Sequence, residues 1–177
     1  MPIKRGLRKL LLSVHLMVSV GWIGAVAAYI TLDVTTIATD APATLRASYV
    51  GMDLIGRTVI VPLALTSLIS GIVIALGTRW GLFRHYWVLI SLLLTIVATA
   101  VLLSEIRTVA ALADIAADPS TTPAELVALP STLVHSIGGM VVLGGVLVLN
   151  VYKPRGMTRY GWRKQDASKR ASSLQEG

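Results

Sequence analysis

Four stretches of the chain contain no Asp, Glu, Lys or Arg over a length that can cross a lipid bilayer. They are residues 10–32, 58–78, 85–104 and 131–152, with lengths of 23, 21, 20 and 22 residues. A helix rises about 1.5 Å per residue, so each stretch covers the ~30 Å hydrocarbon core. A helix also satisfies its own backbone hydrogen bonds in lipid. The pattern therefore predicts an all-α integral membrane protein, a four-helix up-down bundle.

The segments between these stretches differ in charge. The N-terminal tail, the connection between the second and third stretches and the C-terminal tail hold 13 basic and two acidic residues, whereas the other two connections hold three basic and seven acidic ones. Because Lys and Arg stay in the cytoplasm, both termini are predicted to be cytoplasmic. A cleaved signal peptide is the competing interpretation, but the first apolar run exceeds the usual 7–15 residues.

The composition agrees with a membrane environment. Hydrophobic residues make up 54% of the 177 residues and charged residues 14%, against about 25% charged residues in soluble domains. The lipid bilayer is therefore the first predicted partner. The net charge of +7 lies mostly on one side of the membrane, so no nucleic-acid partner is predicted. The chain has no cysteine, which excludes disulfides, thiolate metal sites and cysteine catalysis.

The connections carry local signals. A tight hairpin is predicted over residues 78–84, and a helix break near residues 40–42. Asp53 and Arg57 are spaced for an ion pair one helical turn apart. Thr122 and Glu125, with Pro123 between them, predict a capped short helix. The tail, residues 153–177, is predicted to be disordered; its basic residues either bind anionic lipid or only set the topology.

Polar and small residues recur at helical spacing. In the first stretch they are predicted to face the bundle interior, because polar groups are costly in lipid; the set is His15, Ser19, Trp22, Val26, Tyr29 and Asp33. In the fourth stretch a comparable face is Ser131, His135, Gly138, Val142 and Gly145. The pairs Gly138–Gly139 and Gly144–Gly145 would let another helix or a flat ligand approach closely.

The three histidines raise the possibility of haem b or copper, since neutral imidazole is a common metal ligand. Counting residues from the predicted membrane boundaries places His15 and His135 about 15 Å apart in depth. One iron cannot join that pair. His15 and His85 differ by about 7 Å in depth, so a two-histidine site is conceivable on the cytoplasmic side. The alternative is that His15 and His135 form hydrogen bonds within the bundle while His85 lies at the interface.

An enzymatic function is not favoured. The sequence shows no nucleophile with a base at interpretable spacing and no phosphate-binding glycine loop. It also shows no carboxylate pair within the membrane. Asp33 and Glu105 are expected at the outer helix ends, where water can solvate them.

Four segments carry a family resemblance: residues 15–25 (HLMVSVGWIGA), 52–56 (MDLIG), 80–89 (WGLFRHYWVL) and 151–156 (VYKPRG). Together they resemble a family of small actinobacterial membrane proteins of unknown function. The resemblance implies a four-helix plasma-membrane protein and no particular activity. Family members often have a lysine shortly after the hairpin, where this chain has Ser91. The first helix, with His15 and Trp22, is also similar to the membrane domain of copper-resistance D proteins.

Three functions remain open from the sequence. The first is a non-enzymatic accessory or scaffold protein that forms a homo-oligomer or binds a membrane partner through its glycine-rich faces. The second is a haem- or copper-binding protein that uses His15 with His85. The third is a small transporter, which would need to oligomerise because four helices leave little room for a pathway.

Overall fold

The computed structural model describes residues 4–77, 82–154, 156–163 and 166. Four of its helical segments are long and apolar enough to cross a membrane, as predicted. The helices are α1 (Arg5–Ala38), α2 (Pro42–Ile55), α3 (Val61–Gly77), α4 (Tyr86–Ala117), α5 (Pro123–Val127) and α6 (Leu133–Tyr152). The short π-helix Gly56–Ile60 joins α2 to α3 without a break, so that residues 42–77 form a single apolar segment.

The helices extend past the charge-free stretches that predicted them. α1 has 34 residues and α4 has 32, which correspond to about 50 Å of helix each. That is well beyond the ~30 Å of the hydrocarbon core. Charged residues at the ends of the apolar runs, such as Asp33 and Glu105, therefore lie inside helices rather than in loops. The predicted break near residues 40–42 is confirmed, because α1 ends at Ala38 and α2 begins at Pro42.

One end of the bundle, which we call the loop end, contains α2, α5 and residues 118–132. The largest fully buried side chains of the described residues lie here: Tyr49, Leu45, Met52, Leu126 and Asp33. They pack with the second half of α1 and the last turns of α4, including Val109, Leu112 and Ala116. The hydrophobic core is thus concentrated at this end.

The opposite end, which we call the tail end, joins residues 82–86 to residues 156–163. The Tyr86 backbone N–H donates to the Gly156 carbonyl, and the Thr158 N–H donates to the Arg84 carbonyl at 3.0 Å. A short helical segment, residues 159–163, follows. The prediction of a disordered tail did not include this contact. Residues 155, 164–165 and 167–177 of that tail, and residues 78–81 of the predicted hairpin, lie outside the described residues.

Candidate ligand-binding cleft

The Asp33 side chain accepts four hydrogen bonds at the loop end. It is 0% exposed, and its carboxylate accepts hydrogen bonds from the hydroxyls of Ser131, Thr132 and Ser136 and from the Thr132 backbone N–H, at 2.8–3.2 Å. The expectation that water solvates Asp33 is therefore wrong. Residues 118–132 fold over the end of α1, and their hydroxyls replace the water. Such charge-assisted bonds fix the start of α6 against α1.

Two tyrosines extend this contact. The Tyr29 hydroxyl lies 2.9 Å from the Thr132 hydroxyl. The Tyr49 hydroxyl donates to the carbonyls of Leu129 and Pro130 at 3.2 and 3.3 Å. Both phenol rings are almost completely buried. The chain that leads into α6 is therefore held by α1 on one side and by α2 on the other.

The connection between α4 and α6 is also ordered. The Arg46 guanidinium donates to the carbonyls of Ala116, Asp118 and Thr121, each at 2.6 Å. These are carbonyl groups at and beyond the end of α4, which lack partners within the helix. Arg46 thereby ties α2 to the first residues of the loop.

The predicted capped helix is confirmed. Thr122 and Glu125 form a capping box at the start of α5, in which the Glu125 carboxylate accepts from the Thr122 N–H at 2.7 Å. The hydrogen bonds from Thr122 hold the pKa of Glu125 below its usual value. Ser120 lowers the pKa of Asp118 in the same way. Both carboxylates are therefore stabilised as charged groups at the loop end.

A cavity of about 320 Å³ lies between α1, the π-helix, α4 and α6. This volume is at the lower end of the range typical of small-molecule sites, roughly 300–1,000 Å³. Its wall on α4 runs from Val97 to Val109, about 18 Å along the helix axis. Most of the lining is apolar. Its polar side chains come from the loop-end half: Tyr29, Glu105, Thr132, His135 and Ser136.

Glu105 and His135 face each other across this end of the cavity. The distance from His135 Nε2 to Glu105 Oε1 is 3.8 Å, longer than a hydrogen bond. The Glu105 side chain is 28% exposed and the His135 side chain is 56% exposed. The expectation that Glu105 would be a solvated residue at a helix end is therefore wrong in part: α4 continues past it for three turns, and its carboxylate faces the cavity.

α6 is the least covered of the membrane-spanning helices. Only 6% of its most apolar stretch is buried within the chain, against 17% to 22% for the other three spans. Leu143 is its buried side chain. The predicted interior face of this helix is therefore wrong in part, since His135, Gly138 and Gly145 are exposed. The helix lies at the edge of the bundle, and the cavity separates part of it from α4.

The glycines of α6 have open space around them. A Cβ atom added at Gly138, Gly139, Gly144 or Gly145 would meet no heavy atom within 4 Å. Among the described residues, no other helix therefore uses the close approach that these glycines permit. Gly138 and Gly139 line the cavity, where the missing side chains enlarge it. Gly144 and Gly145 lie further along the helix, outside the cavity lining.

The structure places the three predicted histidines with different partners. His15 Nδ1 lies 2.9 Å from the Ser70 hydroxyl on α3, and its ring packs against Gly71. His85 precedes α4 and forms a β-bridge with Met157, while His135 faces Glu105. Among the contacts of the described residues, none joins two histidines. The same residues contain no group of three or more His, Asp or Glu side chains arranged to hold a metal ion.

The predicted face of α1 is confirmed as the inward face. Trp22, Val26, Tyr29 and Asp33 are buried, and Ser19 bonds to the Ser67 hydroxyl at 2.8 Å. Trp22 and Tyr29, together with His135, Gly138 and Gly139, line the cavity.

Sequence reasoning missed Glu105 as a member of this site. A usable signal was present: the apolar pattern continues beyond Glu105, through Ile106 and Val109, as it would in an uninterrupted helix.

Comparison with protein-family models, with curated proteins and with solved structures finds no match to this chain. The geometry of the site combines a cavity with an apolar wall, a polar loop-end half and the Glu105 carboxylate in its lining.

Proposed function

We propose that this chain is a non-enzymatic, multi-pass plasma-membrane protein that binds an amphipathic ligand in the cavity between α4 and α6. The ligand's apolar part lies along α4, and its polar group lies at the loop end. One observation carries the proposal: an apolar cavity about 18 Å long with its polar side chains confined to one half. This arrangement suits a membrane-dissolved amphiphile rather than a fully polar solute.

The topology belongs to the same proposal. We place both termini in the cytoplasm and the loop end outside, with the helices in up-down order, because 13 of the 16 basic residues lie in the tails and the connection between α3 and α4. The tail would then lie close to anionic lipid. Membership of the actinobacterial family described above is likewise part of the proposal, as is assembly of α6 with another copy or a partner.

Trp22 supplies a direct test of binding. It is 3% exposed and lines the cavity, so bulk lipid has little access to it while a molecule in the cavity contacts it. A variant that retains Trp22 and replaces Trp80, Trp87 and Trp162 with Phe isolates its fluorescence. In nanodiscs, titration with a bromine-labelled long-chain alcohol should quench this fluorescence in a saturable manner.

Two glycines of α6 provide matched variants for this experiment. Gly139→Leu puts a side chain into the cavity, whereas Gly145→Leu makes the same change outside it, and a Cβ at either position meets no heavy atom within 4 Å. Gly139→Leu should weaken binding by about tenfold or more, while Gly145→Leu should leave it unchanged. Quenching that is linear and identical in all three proteins would overturn the proposal.

A further inference from the structure

Glu105 lies where the headgroup of a bound amphiphile would be. It is 19 residues from Tyr86, the first residue of α4, or about 29 Å along the helix axis. That distance matches the ~30 Å hydrocarbon core. If the tail end marks one membrane boundary, Glu105 is at the level of the opposite headgroups. The cavity wall from Val97 to Val101 lies on its membrane side.

The charge around Glu105 is negative. Its ionic contact among the described residues is with His135, at 3.8 Å, and the residues that line the cavity include no Lys or Arg. Arg57, also near this end, is already paired with Asp53 at 2.6 Å. The buried Asp33 carboxylate lies behind Thr132 and Ser136, which line the same cavity, and adds negative charge without bringing a cation.

We propose that the cavity selects an amphiphile whose polar group is a protonated amine. The ammonium group binds the Glu105 carboxylate at the loop end, and the aliphatic chain lies along the apolar wall of α4. This inference rests on the proposed function and specifies its ligand. The charge complementarity disfavours fatty acids and gives no advantage to uncharged alcohols, because the Glu105 carboxylate repels an anion and is only weakly satisfied by a hydroxyl.

Two sources could supply this chemistry. A free long-chain amine carries the ammonium directly on its chain, and phosphatidylethanolamine carries the same group at the end of its headgroup. Both would use Glu105. They differ in where they come from, since the phospholipid is part of the bilayer itself.

Competition against the brominated alcohol tests the inference in the Trp22-only protein. Dodecylamine, dodecanol and dodecanoic acid have equal chains and differ in the polar group. Dodecylamine should displace the probe at a concentration roughly tenfold lower than dodecanol, and the acid should be the weakest competitor. Glu105→Gln should remove the preference for the amine. Glu125→Gln, an exposed acid of α5 outside the cavity, should retain it.

Nanodisc composition separates the two sources. If phosphatidylethanolamine is the ligand, replacing phosphatidylcholine with it should weaken probe binding in the Trp22-only protein and not in the same protein with Glu105→Gln. If a free amine is the ligand, the two nanodiscs should give equal probe affinity while dodecylamine still competes.

The outcomes also separate this inference from the proposal on which it rests. Equal competition by amine and alcohol in the Trp22-only protein overturns the amine preference but leaves saturable binding in place, and this comparison needs no change at Glu105. The absence of saturable quenching overturns both. Retention of the amine preference in Glu105→Gln overturns the role of Glu105.

Discussion

The loop end and helix α6 belong to one small bundle but are packed very differently. At the loop end, three helices and a connecting segment enclose side chains such as Tyr49 and Met52 with 0% to 1% exposure. Along α6, Leu143 is the buried side chain and four glycines have open space. The difference shows that the fold is held mainly by its loop end, which leaves α6 free to border a cavity.

The largest effect is expected from Asp33→Ala. The change removes the acceptor of four hydrogen bonds from residues 131–136, two of them buried and two part-buried, and each unsatisfied buried group costs about 1–3 kcal/mol. We expect a loss of at least about 3 kcal/mol in unfolding free energy, measured by denaturant titration in detergent. Asp40→Ala, an exposed acid nearby, is the control. Equal losses in the two variants would mean that Asp33 does not hold α6 in place.

A smaller loss is expected from Arg46→Ala. It removes three charge-assisted hydrogen bonds to carbonyls of Ala116, Asp118 and Thr121. A loss of about 2 kcal/mol, seen as a lower Tm, is expected because these carbonyls can partly bond to water. Arg107→Ala, an exposed arginine on α4, should change the Tm little. A similar Tm for both variants would argue against Arg46 as the tie between α2 and the loop.

A substitution on the exposed side of α6 should raise the Tm rather than lower it. Gly145→Ala introduces a Cβ into empty space, and Ala favours a helix over Gly by about 0.5–1 kcal/mol. A small rise in Tm is therefore expected. Gly56→Ala is the contrasting variant, because its Cβ would lie 2.6 Å from Ile106 Cδ1 and force that side chain to move. A drop in Tm for Gly145→Ala would instead indicate that the proposed partner of α6 packs against Gly145.

The smallest effect concerns the pH dependence of the loop end. Since folding lowers the pKa of Glu125, its contribution to stability is complete above the unfolded value near 4.5 and is lost as the pH falls below it. The Tm should therefore fall more on acidification in the wild type than in Glu125→Gln. Identical pH profiles would show that the capping box contributes nothing through its charge.

Sequence reasoning succeeded where the signal is local. Four apolar runs, the break at Pro42, the capping box at Thr122 and the 2.6 Å Asp53–Arg57 pair each depend on residues a few positions apart. It failed at Asp33 because the partners of this carboxylate are 98–103 positions away, in a segment whose path over α1 no local pattern encodes.

The cavity likewise has one feature that local sequence patterns predict and one that depends on contacts between distant residues. The helical spacing of Trp22 and Tyr29 predicts that they share an inward face, and the structure confirms it. The presence of empty space beside that face depends on how far α6 stands from α4, which follows from the anchoring of both ends of α6. The apolar pattern that continues past Glu105 indicates that this carboxylate lies within a helix, but no local pattern indicates that His135 lies opposite it.

The π-helix between α2 and α3 has a consequence for how this chain tolerates insertions and deletions. Met52, Gly56, Ile60 and Ala64 are all buried although they are spaced by four residues, a spacing that would drift around a regular helix of 3.6 residues per turn. The wide turn, in which the Val61 N–H donates to the Gly56 carbonyl, absorbs about one extra residue. Loss of one residue within 57–59 would therefore restore an ordinary helix and keep both halves facing inward. The same loss one turn away, in α3, would rotate the rest of that helix by about 100° and turn its buried face toward lipid.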